Sequence, residues 1–263
     1  MLVDHIGLVF FPHLLWIRMI GRLSMPLFAY AVATGYYFTA RADAQSDLNA
    51  ELSGRDDGGA FADSDRTAPV SRSRRFGRFP KYLLTMLIFA IVSQFPFYLM
   101  REAGRIFHFG LNIGFTWTLA LILLHGVLSR KLLWQIAALI AVFVAWLVPI
   151  DYGLYGILYP LACYPIVQAV QSRAALNPTT FNSEAVTTKA SGNLGYLWGG
   201  LAQLAVNLLG RFALAFWVFQ GLALLSFPLM ALDRGRKSRI TKWFFYLFYP
   251  LHMLALALMH RWI

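Results

Sequence analysis

Long apolar runs recur along this chain, and the longest reach the roughly 20 residues that an α-helix needs to cross a bilayer. Charged and turn-forming stretches separate these runs, as expected where successive helices are joined by loops. The sequence therefore predicts an all-α fold, namely a polytopic integral membrane helix bundle with about nine transmembrane segments. The predicted segments are 1–11, 17–40, 82–100, 111–128, 132–150, 152–170, 194–209, 212–232 and 243–260.

The composition agrees with repeated membrane passage. Hydrophobic residues make up 59% of the chain and charged residues 13%, which is about half the charged share of a globular domain. Water-soluble folds need more polar surface than this. The net charge of +11 does not indicate nucleic acid, because 17 of the 23 basic residues lie in four segments that alternate along the chain. The expected partner is the lipid bilayer, and no nucleic acid is expected.

The distribution of basic residues also orients the segments. Residues 41–81 carry eight of them, the pair at 130–131 two, residues 171–192 two and residues 233–242 five, against six in the opposite loops and helix ends. With nine passes the two sets alternate without a violation of the positive-inside rule. This pattern predicts a cytoplasmic N-terminus and an outward C-terminus.

A single transmembrane domain over 1–263 is expected to contain one long cytoplasmic interruption at 42–79. This stretch is rich in Asp, Ser, Gly and Arg, so it cannot bury enough surface to offset its ordering entropy, and we expect it to be disordered. The first segment, 1–11, would be about 16 Å long as a helix, which is too short to span and predicts a start upstream or a truncated first helix. Cys163 is the single cysteine, and no metal site is expected.

Ionisable side chains inside a bilayer are costly unless paired or hydrated, so the few present are the candidates for chemistry. Asp4 and His5 are neighbours in the first segment, about 100° apart around a helix, so one orients the other only through another helix. The titration range of His5 suits a base that accepts a proton from a nucleophile. Arg22, one turn beyond Arg18, is placed to pair with Asp4 or to stabilise an oxyanion. A purely structural Asp4–Arg22 pair and an interhelical hydrogen bond of His5 are the alternatives.

Three polar residues of the third and fourth segments are candidates for substrate binding. Gln94 shortly precedes Pro96, which removes a backbone donor and can kink the helix. Asn112 and Thr116 stand four residues apart and are expected to share one face of a helix. Each of the three also fits the alternative of a hydrogen bond that packs one helix against another.

Asp151 and His252 complete the candidates. Asp151 falls in the outer turn between the fifth and sixth segments, where a solvated loop acid is the alternative. His252 lies ten residues into the last segment, near the midplane, and follows Pro250, which opens the helix backbone. The predicted topology gives seven candidates a shared depth between the midplane and the outer surface, which favours one hydrated pocket. These seven are Asp4, His5, Arg22, Gln94, Asn112, Thr116 and His252.

Short motifs at these residues resemble those of the TraX family. Each motif is weak alone, but their order and spacing along the chain carry the resemblance. The chain departs from the family in having fewer residues ahead of the Asp-His pair and a longer interruption at 42–79. The matching pieces are 3–7 (VDHIG), 21–28 (GRLSMPLF), 93–98 (SQFPFY), 112–116 (NIGFT), 151–153 (DYG) and 245–252 (FYLFYPLH).

The resemblance implies a multi-pass protein of the bacterial inner membrane. It further implies an acetyltransferase that uses acetyl-CoA, with a pilin N-terminus or another envelope acceptor such as a glycan as the partner. By analogy, the active-site candidates are His5, Arg22, Asp151 and His252.

The expected roles of the individual residues rest on the chemistry of their side chains. His5, or His252 as second choice, deprotonates the acceptor. Arg22 with Gln94 or Asn112 stabilises the oxyanion, and Asp4 or Asp151 holds the histidine tautomer. Two other classes stay open. A transporter or flippase would use the glycine-rich seventh segment, and a pilus assembly factor would have no catalysis.

Overall fold

A computed structural model describes residues 1–56, 77–103, 110–175, 194–206, 222–233, 235 and 242–262. These residues are almost entirely helical. They include no strand, and Leu111 and Ile150 form an isolated parallel bridge. The all-α class is thereby confirmed. The helices are α1 (Leu2–Phe10), α2 (Leu15–Arg22), α3 (Ser24–Asp56), α4 (Arg78–Ala103), α5 (Ile113–Leu128), α6 (Leu132–Leu147), α7 (Gly153–Ala175), α8 (Leu194–Val206), α9 (Ser226–Ala231, after a 3-10 turn at Leu222–Leu225) and α10 (Lys242–Trp262).

Three helices of the described ranges are long and apolar enough to cross a membrane, and they lie in α4, α7 and α10. Helices α5, α6 and α8 are apolar but shorter. The described residues therefore do not support the predicted count of nine spans. The outward face of α6 carries large exposed apolar side chains, such as Leu133 at 77% exposure and Trp146 at 68%. A surface of this kind requires an apolar neighbour, which is compatible with a membrane protein.

The prediction of disorder from residue 42 onward is wrong for residues 42–56, which continue α3. This stretch contains Ala, Gln, Leu and Glu, which are good helix formers, and no Pro. Gln45 donates a hydrogen bond to Asn49 at 3.0 Å, one turn further along. Local helix propensity and continuation from a formed helix thus outweigh the low apolar content. Residues 57–76 of the predicted loop lie outside the described residues.

The predicted second segment, 17–40, is two helices rather than one. Helix α2 ends at Arg22 and α3 begins at Ser24. The Ser24 hydroxyl donates to the Gly21 carbonyl at 2.6 Å, which satisfies an acceptor at the end of α2. Pro26 lies in the first turn of α3, where its missing N–H removes no intrahelical bond. The Ser24 hydroxyl therefore provides a hydrogen-bond partner for the Gly21 carbonyl at the break between the two helices.

The packing of the helices brings five elements together at one end of the core. Helix α10 packs against α4 and α1, α3 packs against α7, and α5 contacts α4, α6 and α7. The core along α5 and α7 is fully closed, with Leu121, Leu124 and Ile157 at 0% exposure, and the Cys163 thiol is buried there. Helix α1, the second half of α4, the start of α5, the turn before α7 and α10 meet at one end of this core.

Candidate active site

A cavity of about 260 Å³ lies where these five elements meet. Its apolar wall includes Phe97 and Ile113. The structure thus brings Asp4, His5 and Asp151 together, although they come from distant parts of the sequence. The polar side chains around it are Asp4, His5, Arg101, Asp151, Tyr152 and Tyr249.

His252 lies directly behind His5. The Nδ1 atom of His5 is 2.8 Å from the Nε2 atom of His252, and the planes of the two rings are nearly parallel, at an angle of 10°. Both side chains are buried, at 9% and 7% exposure. His252 itself faces an apolar groove between α1 and α10 rather than the cavity. Of the two histidines, His5 is therefore the one that faces the cavity.

The hydrogen bonds fix the tautomers of both neutral rings. The Nδ1 atom of His252 is 2.7 Å from the Phe248 carbonyl oxygen, which can only accept, so this Nδ1 carries the proton. The Nε2 atom of neutral His252 is then an acceptor, and His5 Nδ1 must donate to it. Neutral His5 consequently carries its basic lone pair on Nε2. The predicted orienting carboxylate is replaced by His252 at His5 Nδ1.

A close helix contact holds Asp4 and His5 at the cavity. A Cβ atom built on Gly21 of α2 would lie 2.7 Å from the backbone N and Cα of Asp4. No side chain larger than hydrogen fits at this distance, so Gly21 allows the backbones of α1 and α2 to touch. The sequence motif around Gly21 therefore has a packing function in addition to any role of Arg22, whose side chain lies outside the described part of the structure.

Gln94 and Asn112 brace the backbone beside the cavity. The prediction of a shared helix face assumed that Asn112 lies within the helix. In the structure Asn112 instead caps the N-terminus of α5. Its side chain accepts from Gly114 N at 2.7 Å and donates to the Ala90 carbonyl at 2.7 Å and to Gln94 Oε1 at 2.9 Å. Gln94 also donates to the Gly110 carbonyl at 3.0 Å and accepts from Asn112 N at 3.0 Å. These bonds tie the middle of α4 to the start of α5.

Thr116 has the same kind of role one turn further on. Its hydroxyl donates to the backbone carbonyl of Asp151 at 2.6 Å. Two backbone hydrogen bonds, Leu111 N to Pro149 O and Asp151 N to Leu111 O, hold the same turn. Thr116 thereby helps to position Asp151 at the cavity. Substrate binding by Gln94, Asn112 and Thr116 stays a prediction, and none of the three lines the cavity.

We expect Asn112→Ala to destabilise the protein by about 2–5 kcal/mol, because it leaves several buried backbone and amide groups without partners. Asn112 is 0% exposed, so water cannot replace the lost bonds. Thermal unfolding of the detergent-solubilised protein measures the effect, with Asn49→Ala on an exposed face as the control. Equal melting temperatures for the two variants would contradict the bracing role.

Sequence reasoning missed Arg101, Tyr152 and Tyr249 as cavity residues. Arg101 is one of the six basic residues in the loops and helix ends that the topology places outside, and Tyr249 looks like one aromatic of an aromatic-rich helix. Tyr152 adopts a φ of 64°, which is unusual for a residue with a side chain. Its neighbour is a glycine, Gly153, which is the residue in the sequence that indicates a tight turn here. In the structure Gly153 has a φ of 50°.

A second, larger space of about 540 Å³ adjoins the cavity and runs between α3, α4 and α10. Arg78 and Lys81 lie at one end of it, at the start of α4. Aromatic and aliphatic side chains such as Met86 and Phe89 form its walls. Ile113 and Tyr249 line both spaces. We call the larger space the α3–α4–α10 groove.

The comparisons with known proteins place the chain in a family. The family described as TraX protein matches residues 70–260. No curated protein and no solved structure matches the chain. The matched range contains Asp151 and His252, whereas Asp4 and His5 precede it. Because the match covers well over half of the chain, the protein belongs to the TraX family.

Proposed function

We propose that the protein is a membrane-embedded acetyltransferase that transfers an acetyl group from acetyl-CoA to an amine of an envelope acceptor such as a pilin N-terminus. The carrying observation is that buried His5, bonded through Nδ1 to His252, faces a cavity that adjoins the α3–α4–α10 groove. The protein would lie in the bacterial inner membrane as a multi-pass protein with its N-terminus in the cytoplasm. Family membership and the three long apolar helices support this location.

His5 is the proposed general base and His252 the residue that positions it. The hydrogen bonds with Phe248 and His252 support a basic Nε2 on His5. Proton abstraction at Nε2 creates an imidazolium, whose Nδ1–H continues to donate to His252. His252 therefore fixes the ring orientation of His5 before and after the proton moves. In the Ser-His-Asp catalytic triad a carboxylate has this role.

The α3–α4–α10 groove has the properties of a donor site. The coenzyme A headgroup carries phosphates, and Arg78 and Lys81 at one end of the groove are suitable partners for them. The walls between that end and the cavity are mostly apolar, which suits a thin, largely uncharged arm. Arg78 and Phe89 both line the groove and are about 16 Å apart along α4 by helical rise. An extended donor could thus have its thioester at the cavity and its phosphates at the far end.

The transfer step balances as follows. The acceptor nitrogen forms a bond to the thioester carbonyl carbon, and one proton of the amine moves to His5 Nε2. The carbon–sulfur bond then breaks, and the leaving thiolate takes the electron pair and the proton from His5. Asp4 and Asp151 at the cavity suit an amine acceptor, because their carboxylates can accept hydrogen bonds from the N–H groups of the neutral amine that attacks.

We expect the double variant Arg78→Gln/Lys81→Gln to raise the KM for acetyl-CoA about 10- to 100-fold, because two charge-assisted contacts to phosphate are lost. The kcat at saturating donor should change little, since neither residue lies near the cavity. Steady-state kinetics over a range of acetyl-CoA concentrations measures both constants. Lys131→Gln, an exposed lysine before α6, is the matched control. An unchanged KM would place the donor elsewhere.

The proposed function is tested by reconstituting the purified protein in liposomes with acetyl-CoA labelled in the acetyl group. Label in an amine-bearing peptide, above the level of protein-free liposomes, supports the proposal. No transfer to peptides, lipids or glycans would contradict it. Gradient-driven flux without transfer would instead support a transporter.

A further inference from the structure

Arg101 is a cavity residue that the proposed transfer does not yet use. It lies near the C-terminal end of α4, at the opposite end of this helix from Arg78 and Lys81. Its guanidinium carbon is 5.2 Å from the centre of the Phe97 ring, and Phe97 is buried at 3% exposure. This cation–π contact and the surrounding walls hold a charged group in a fixed position beside the cavity.

The hydrogen-bonding capacity of Arg101 is not fully used. Its Nε atom is buried and has no hydrogen-bond partner within the described ranges. A guanidinium presents five N–H donors in a planar fork and remains charged when buried. A buried donor of this kind costs free energy unless a ligand or water accepts from it. The fork geometry matches the paired oxygens of a carboxylate or a phosphate.

The cavity presents opposite charges to whatever enters it. Asp4 and Asp151 supply two carboxylates, and Arg101 and the N-terminal ammonium of Met1 supply positive charge. A simple amine offers no acceptor to the buried Nε donor of Arg101. An acceptor with an anionic group a few bonds from its amine would satisfy both kinds of side chain. The volume of about 260 Å³ is enough for a small zwitterionic group of this type.

We propose that Arg101 binds an anionic group, a phosphate or a carboxylate, that the acceptor carries close to the amine that is acetylated. This inference rests on the proposed acetyl transfer and names the class of acceptor. It also separates the two ends of α4 by function. Arg78 and Lys81 would bind the phosphates of the donor, and Arg101 the anion of the acceptor.

The test compares matched small acceptors in the liposome assay. O-phosphoethanolamine and glycine carry an anionic group beside the amine, and ethanolamine and methylamine are the matched amines that lack it. We expect the wild type to show a lower KM for the two acceptors with an anionic group, and Arg101→Gln to raise that KM about 10- to 100-fold while kcat/KM for the amines without one changes little. Arg101→Lys should recover part of the preference, since it restores the charge without the fork. Arg261→Gln, an exposed arginine at the end of α10, is the control.

A preference for phosphate over carboxylate would indicate a phosphorylated acceptor such as a lipid headgroup, and the reverse a peptide acid. Equal KM values for acceptors with and without an anionic group, in both proteins, would overturn the inference and leave the acetyl transfer intact. If no acceptor is acetylated, a binding measurement tests the inference on Arg101 instead. O-phosphoethanolamine should raise the melting temperature of the wild type and not of Arg101→Gln, and equal shifts in the two proteins would overturn the inference.

Discussion

We expect His5→Ala to lower kcat for the proposed acetyl transfer about 10²- to 10⁴-fold, the range that a general base contributes. The reason is local, since His5 is the histidine that faces the cavity and its hydrogen-bond chain supports a basic Nε2. The KM for acetyl-CoA should stay nearly constant, because His5 does not line the α3–α4–α10 groove. Initial rates with labelled acetyl-CoA at saturating acceptor measure the loss.

Two variants control for size and for surface effects. His5→Asn keeps a polar side chain that can donate to His252 but has no basic nitrogen, so it should be as impaired as His5→Ala. His13→Ala removes an exposed histidine just after α1 and should retain full activity. Comparable rates for His5→Ala and wild type would refute the base assignment.

His252→Leu is the second large effect, with an expected loss in kcat of about 10- to 10²-fold. Leucine fills similar space but cannot accept from His5 Nδ1, so the His5 ring can rotate and change its tautomer. Catalysis falls because the basic nitrogen is then misplaced for part of the time. The loss is smaller than for His5→Ala, since the base itself is still present.

Rescue separates positioning from folding. His252→Gln supplies an amide oxygen that can accept from His5, so it should recover much of the rate lost in His252→Leu. Melting temperatures of both variants in detergent show whether the fold is intact. If both variants lose activity equally and melt at the wild-type temperature, His252 does not act by orienting His5.

Some residues of the candidate site could be predicted from the sequence and others could not. The candidates Asp4, His5 and His252 follow from the cost of ionisable groups among apolar runs, whereas the resemblance to the TraX family made Asp151 an active-site candidate. Asp4, His5 and His252 lie at one end of the bundle, which is consistent with the shared depth that the topology predicts for them. Arg101 and Tyr249 could not be selected this way, because an arginine at a helix end and a tyrosine in an aromatic helix have common structural explanations.

Other features needed the packed structure. The residues at 42–56 look like a polar loop by composition, yet they extend α3, since a formed helix propagates into a sequence of adequate propensity. Asn112 reads as a helix-face residue by its spacing to Thr116, but it caps α5 and binds Gln94. Caps and interhelical bonds depend on which helices are neighbours, and sequence spacing does not contain that information.

The sequence by itself determined the all-α class, the apolar character of the helices and the family, because hydrophobic runs and ordered motifs are written along one dimension. The tertiary structure alone decided which side chains are partners. The contact of His5 Nδ1 with His252 joins residues 247 positions apart, and its 2.8 Å distance depends on how α1 and α10 pack. Hydrogen bonds act over a few ångströms in space, so the order of residues cannot specify them.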